Sequence, residues 1–317
     1  MMAARNNPSD SGATRWSHTE IAPESDGLFR AAIMQSGPCQ AQTGLAAAQR
    51  ISIDYAAGKG CADDASAEQC LRALPVDSLR DGPPYVRIGA NILTGPVTGT
   101  ERLPVAPATA ATQSRTVRVP TLIGTTADEF TLFVALSYLR NHELAPYPTL
   151  LSDTFGALAP AVAAHYPLSK YDGSVGLAYA ATVTDGVFAC PVDTMATGLA
   201  SRGPVYAYEF NDFRAPVPDP MRQVPFGIGA SHALELRYLF DMGGAPPLNP
   251  AQRVLSDEMI AYWSRLVTTG AQDVPGQPEW PQLDPERPQR LSLTTGSPVV
   301  TTDFAARHQC AFWDSQG

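Results

Sequence analysis

Hydrophobic and polar positions divide this chain into a polar start and a patterned remainder. Residues 1–20 (MMAARNNPSDSGATRWSHTE) are small and polar and have no period. Such a segment buries too little apolar surface to order itself, so it reads as a disordered tail. Apolar content then rises. Gly27–Gly37 (GLFRAAIMQSG) reads as a short helix leading into a buried strand that ends at Ser36 and Gly37. Leu45–Gly58 has helical spacing, and so has Ala67–Leu74, which Pro75 stops. The apolar run Val119–Ile123 ends at Gly124 and leads into a polar turn and a helix-like stretch, the order strand, turn, helix. Residues 138–200 are helical in pattern with several breaks. Pro204–Phe210 (PVYAYEF) is rich in β-formers and predicts a strand. A long proline-rich loop over 211–229 follows. Ser256–Gly270 predicts an amphipathic helix stopped by its glycine, and Leu291–Phe304 a strand and turn. Together these elements predict a parallel α/β architecture.

Composition narrows the function classes. A length of 317 residues suits one large α/β domain or two smaller ones. The net charge of -9 argues against a general nucleic-acid binder, which needs a basic face, and leans towards neutral or cationic small molecules. No run of eighteen apolar residues is present, so no membrane-spanning helix is expected. The first residues lack the apolar segment of an export signal. Five cysteines are too few for a disulfide scaffold, and an odd count leaves at least one thiol free if the others pair.

Two segments carry candidate chemistry. Glu129 lies just past the end of a predicted buried strand, where functional groups gather in open α/β sheets. A carboxylate there can orient an imidazole. On local sequence alone the reading to prefer is that Asp128 and Glu129 cap the helix that starts beside them, because turn acids usually do that. The second segment is Gly229–Phe240 (GASHALELRYLF), where a long loop delivers His232. His232 and Glu235 would need further ligands to hold a metal. There is no HExxH and no second histidine nearby, so no metal and no cofactor are expected. His18, His142, His165 and His308 have no motif around them and read as surface or satisfied structural residues.

Taken together, GLFRAAIMQSG, CLRALP (Cys70–Pro75), VPTLIGTTADEF, GASHALELRYLF, AYWSRLVTTG and HQCAFWD (His308–Asp314) occur here in the order of one family's C-terminal half. Residues 21–317 resemble the type-B carboxylesterases, the family that includes cholinesterases. The resemblance implies the C-terminal portion of an α/β-hydrolase fold, a small-molecule ester as substrate, and acyl transfer through a Ser–Glu–His triad. Its G-x-x-x-D-E segment falls on Glu129 and its G-x-x-H-x-x-E-L segment on His232. That makes Glu129 the acid and His232 the general base, with Glu235 a structural neighbour of the histidine loop. Ser36, in QSG, is similar to a family serine near the triad acid. The family's disulfides match Cys61 with Cys70 and Cys190 with Cys310, which leaves Cys39 free. Disulfides belong to oxidising compartments, so the full-length relative is expected to be secreted or periplasmic.

The nucleophile is harder to place. No G-x-S-x-G elbow occurs anywhere in the chain, and no Gly-rich oxyanion loop precedes the matching region. Counting back along the family pattern lands in Pro8–Thr14 (PSDSGAT), which offers Ser11 as an atypical nucleophile. The sequence expectation is therefore a truncated or frameshifted chain. It would lack the family's N-terminal strands, be inactive alone, and have its other half as a missing partner. A cholinesterase-like binding protein is the alternative function, against which the retention of both Glu129 and His232 speaks.

Overall fold

The computed structural model describes residues 2–5, 25, 27–37, 42–88, 91–93 and 95–316. The chain divides into two compact units, Ala41–Ala106 and the remainder. In the larger unit six strands lie side by side in the order in which the chain makes them. They are β1 (Met2–Arg5), β2 (Phe29–Gln35), β3 (Thr121–Thr126), β4 (Val205–Phe210), β5 (Arg290–Leu293) and β6 (Val299–Thr301). The four central strands are parallel: Ala32 pairs with Thr121, Thr121 with Val205, and Tyr208 with Leu291. The two edge strands, β1 and β6, run antiparallel to their neighbours. All six residues of β3 and all six of β4 are buried, as a parallel sheet covered on both faces requires.

Alternation along the strands sorts the core into two layers. Ile33, Leu122, Tyr208 and Leu291 point to one face, where they meet Leu255, Met259, Tyr262 and Leu266 of the helix Pro250–Thr269. Met34, Ile123, Val205 and Ala207 point to the other and meet Val192, Met195 and Leu199 of the helix Cys190–Ala200. The long helix begins with a full capping box at Asn249 and Gln252 and ends on Gly270 in the left-handed conformation. Its start lies six residues before the one that amphipathic spacing predicts, because that cap sits ahead of the first apolar positions.

Other elements differ in type. The short helix expected ahead of β2 is absent, and Phe29 is already strand, paired with Arg5 on one side while Ala32 pairs on the other. Strand β3 runs two residues past Gly124, through buried Thr125 and Thr126, because β4 continues to pair with them. The helical stretch Val175–Ala200 is long and apolar enough to cross a membrane by length and composition, and most of it is buried in the fold as a core helix. Its middle, Thr184–Ala189, is π-helical. Cys190, just after that segment, is disulfide-bonded to Cys310.

The smaller unit is built on two helices, Leu45–Gly58 and Ala67–Ala73, with the Cys61–Cys70 disulfide across the connection. Short pairs of strands, Thr43–Gly44 with Val97–Thr98 and Val86–Ile88 with Asn91–Leu93, complete it. Cys39 and the whole stretch 6–24, with Ser11 and His18, lie outside the described residues.

Gly124 is closely packed within the central sheet. A Cβ added there would stand 2.4 Å from the Tyr208 ring and from its carbonyl oxygen. Tyr208 is fully buried and cannot retreat. Gly124→Ala is expected to destabilise the chain by about 1–3 kcal/mol through overpacking, read as a fall in thermal midpoint. An unchanged midpoint would show that the sheet relaxes more freely than its packing indicates.

Candidate active site

Three chain segments converge at the C-terminal ends of the parallel strands, the usual place for a site in such sheets. Strand β2 delivers Ser36, β3 leads to Asp128 and Glu129, and the loop after β4 returns with Gly229–Ala233. The two turns are laced together by backbone. Asp128 N–H donates to the Ala230 carbonyl at 2.9 Å, Asp128 bridges Ser231 in parallel fashion, and His232 N–H donates to the Glu129 carbonyl at 3.4 Å. Gly229 and Ala233 both adopt positive φ, 62° and 65°. For an alanine this is an unfavoured conformation, and it is found here beside the candidate histidine.

Glu129 is fully buried. One carboxylate oxygen accepts the Thr126 N–H at 2.7 Å, and the other lies 2.6 Å from His232 Nδ1. The first bond fixes the carboxylate and the second fixes the ring. His232 Nε2 has no hydrogen-bond partner among the described residues, and 28% of the side chain is exposed, so that nitrogen is available for proton transfer. Phe133 and Phe188 flank the imidazole, with ring centroids 5.2 and 5.9 Å away. Burial works against a charge on His232. The Glu129 carboxylate outweighs it by its charge and its hydrogen bond, Glu235 adds to this, and the imidazole is held above its ordinary value.

Glu235 is also buried, and burial pushes its carboxyl up to about 7, with the Glu129 charge adding to the rise. Gln35 Nε2 donates to it at 3.4 Å. Ser36 is buried, has a φ of 53°, and its Oγ has no hydrogen-bond partner among the described residues. Its N–H donates to the Gly124 carbonyl, which places it beside the strand that leads to Glu129. Local sequence favoured Asp128 and Glu129 as helix caps. The helix they precede, Thr131–Asn141, takes no side-chain cap, and both carboxylates turn to the histidine loop and its approach.

Spacing alone could not show the aromatic neighbours. Phe188 sits 44 positions before His232, on the π-helical turn that also presents Thr184 Oγ1 to the Phe130 N–H at 3.0 Å. A second histidine is placed with equal care. His308, buried, stands between Asp185 at 2.5 Å and Glu209 at 2.7 Å. Both its ring nitrogens are engaged, so it is a satisfied structural residue and not a free base.

The model of the Carboxylesterase family matches residues 9–313. The match begins at residue 9, so it takes in Ser11. Over 95% of its length the chain is 27% identical to an acylcarnitine hydrolase of Rattus norvegicus and 26% identical to pyrethroid hydrolase Ces2a of Mus musculus and to a cocaine esterase of Homo sapiens. In each case it covers 55% of the relative, so the chain spans about half the length of the curated proteins it matches.

Proposed function

The chain belongs to the carboxylesterase family, and from that premise we propose that it serves carboxylic ester hydrolysis, with His232 as general base and Glu129 as the carboxylate that orients it. The observation that carries this reading is the 2.6 Å contact between a fully buried carboxylate and Nδ1 of a histidine whose Nε2 remains open. Three relatives named as hydrolases or as an esterase support the reaction class. The substrate is a small-molecule carboxylic ester, and no cofactor is invoked.

In this reading His232 Nε2 removes the hydroxyl proton of a serine as its oxygen attacks the ester carbonyl. The imidazolium that forms is stabilised by Glu129, which also holds the tautomer with Nδ1 protonated. Collapse of the tetrahedral intermediate expels the alcohol, which takes the proton back from Nε2. Water then repeats the sequence on the acyl-enzyme and releases the acid. Ser11 is the nucleophile proposed, and Ser36 is proposed to support the acid turn from the end of β2. Because no G-x-S-x-G is present, the proposal includes a low turnover for this chain by itself.

Labelling with a fluorophosphonate probe and peptide mass spectrometry tests the assignment. The expected result is modification of Ser11 that disappears in His232→Ala. Modification of a different serine would replace Ser11 as nucleophile, and labelling that survives in His232→Ala would remove His232 as the base.

A further inference from the structure

The residue before the candidate acid has a geometry that helix capping does not account for. Asp128 grips Ala230 twice. Its N–H donates to the Ala230 carbonyl at 2.9 Å, and its carboxylate Oδ2 accepts the Ala230 N–H at the same distance. The grip leaves no room on the loop: a Cβ on Gly229 would stand 2.1 Å from Asp128 Oδ2. Two residues after Ala230 comes His232. We propose that Asp128 is a positioning residue for His232: its carboxylate oxygen fixes the loop that keeps Nδ1 against Glu129. The proposal rests on the reading of His232 as the general base.

The physical case has three parts. First, the loop needs an external hold. Gly229 and Ala233, which bracket the histidine, both have positive φ, and the alanine gives up local backbone energy to do so. A strained loop keeps its shape only when surrounding contacts over-determine it. Asp128 supplies two of these contacts, and the His232 N–H donating to the Glu129 carbonyl is a third. Second, the hold sits directly beside the chemistry, since Asp128 and Glu129 are consecutive and their two carboxylates reach Ala230 and His232. A shift at Ala230 therefore moves Nδ1 relative to Oε2 with no flexible segment between. Third, the carboxylate has no competing duty at the helix that follows, which begins without a side-chain cap.

The surroundings also explain why an ionisable residue can hold this place. Asp128 lines a cavity of about 320 Å³ with Tyr171, Asp185, Phe213, Arg307 and His308. Burial pushes its carboxyl up to about 6, while the Ala230 N–H and the His308 charge hold it down and Glu209 and Asp185 add to the rise. At neutral pH the group is mostly ionised, and its Oδ2 accepts the Ala230 N–H. An amide oxygen can occupy the same position, whereas a methyl group cannot accept at all.

The test is one-dimensional proton NMR of the full chain, following the low-field signal of a hydrogen-bonded imidazole Nδ1 proton. His232→Ala assigns that signal by its loss. In Asp128→Ala the signal is expected to be lost and the His232 titration to fall towards that of a free imidazole. In Asp128→Asn both are expected to be kept. The low-field signals of His308 serve as an internal record of the fold and are expected in every variant. Retention of the His232 signal in Asp128→Ala, or its loss in Asp128→Asn, overturns the proposal. Should Asp128→Ala not fold, Gly229→Ala presses on the same contact from the loop side. It is expected to remove the His232 signal while sparing those of His308, and retention of both would overturn the proposal. Ester turnover separates this outcome from the parent reading. If His232→Ala hydrolyses a p-nitrophenyl ester as wild type does, the base assignment fails, and the NMR result for Asp128 stands on its own.

Discussion

Replacing Glu129 with glutamine is expected to bring the chain's low turnover of an activated ester down to the background rate, since turning a triad acid into an amide costs on the order of 10⁴-fold when the imidazole loses its working tautomer. The buried carboxylate has two partners, the Thr126 N–H and His232 Nδ1. A glutamine can satisfy the first with its oxygen, but it then presents an NH₂ group to Nδ1. The ring must offer a lone pair there, which moves its proton to Nε2 and blocks the nitrogen that has to accept one. The imidazolium formed during reaction also loses the charge that stabilises it. A second readout is independent of turnover. Burial lowers the His232 pKa and Glu129 raises it above 6.5. Without the carboxylate charge the burial effect prevails, and His232 is expected to titrate below 6.5 by NMR. The sign follows from charge balance: a raised histidine holds its proton longer as pH rises, and the variant gives it up earlier. Wild-type turnover in Glu129→Gln together with an unmoved titration would end the triad assignment.

The same pair shows what the sequence makes legible. Glu129 and His232 are 103 positions apart, and no local pattern connects them. The resemblance of the ordered motifs to the carboxylesterase family implied both residues, and the structure puts His232 Nδ1 2.6 Å from the Glu129 carboxylate. The parallel sheet was readable from its apolar runs, and the helix Leu45–Gly58 has the bounds its periodicity predicts. Three things were not readable. The start of β2 looked helical because its identity as a strand depends on partners on both sides, one of them 89 positions later at Thr121. Asp128 looked like a cap because local sequence shows the nearby helix and hides the distant Ala230 N–H. Phe188 lies in no quoted motif, and HQCAFWD gives its His308 no partner, because their roles depend on contacts across the fold: Phe188 with His232, and His308 with Asp185 and Glu209, 123 and 99 positions away.

That second histidine is where stability should respond most to substitution and to alkaline pH. His308 is buried, and burial alone would lower its pKa. Hydrogen bonds and charges from Asp185 and Glu209 outweigh burial and push the imidazole from 6.5 up to about 9. A folded-state value raised this far contributes stability that is complete below 6.5 and is lost as pH rises through about 9. The rise corresponds to about 3 kcal/mol at ~1.4 kcal/mol for each tenfold change in proton affinity. Glu209 carries the opposite sign. Burial resists its charge, but His308 and Arg307 hold it down at about 2, so its contribution is present above 4.5 and lost as pH falls through 2. The His308 and Glu209 contributions together are therefore fullest between roughly pH 5 and 6.5, while burial raises the Asp185 carboxyl and works against them.

His308→Leu leaves Asp185 and Glu209 facing each other, with Arg307 paired to Glu209 and the Arg290 charge acting on it but no cation between the two acids among the described residues. An uncompensated buried charge of this kind costs about 3–5 kcal/mol, a fall in thermal midpoint on the order of 10 °C for a chain of this size. The damage should centre on the last helices, because Arg307 and His308 anchor them to β4 through Glu209, and Tyr166, itself bonded to Asp185, receives the Trp313 N–H. Thermal unfolding from pH 6 to pH 10 separates the two effects. Wild type should lose stability steadily above pH 7, while His308→Leu should start lower and stay nearly flat. Parallel curves for the two proteins would mean that some other group governs the alkaline loss and that His308 is not held as an imidazolium. The expected divergence follows from placing the cluster's one titratable cation between two buried carboxylates, where neutralising it exposes each acid to the other.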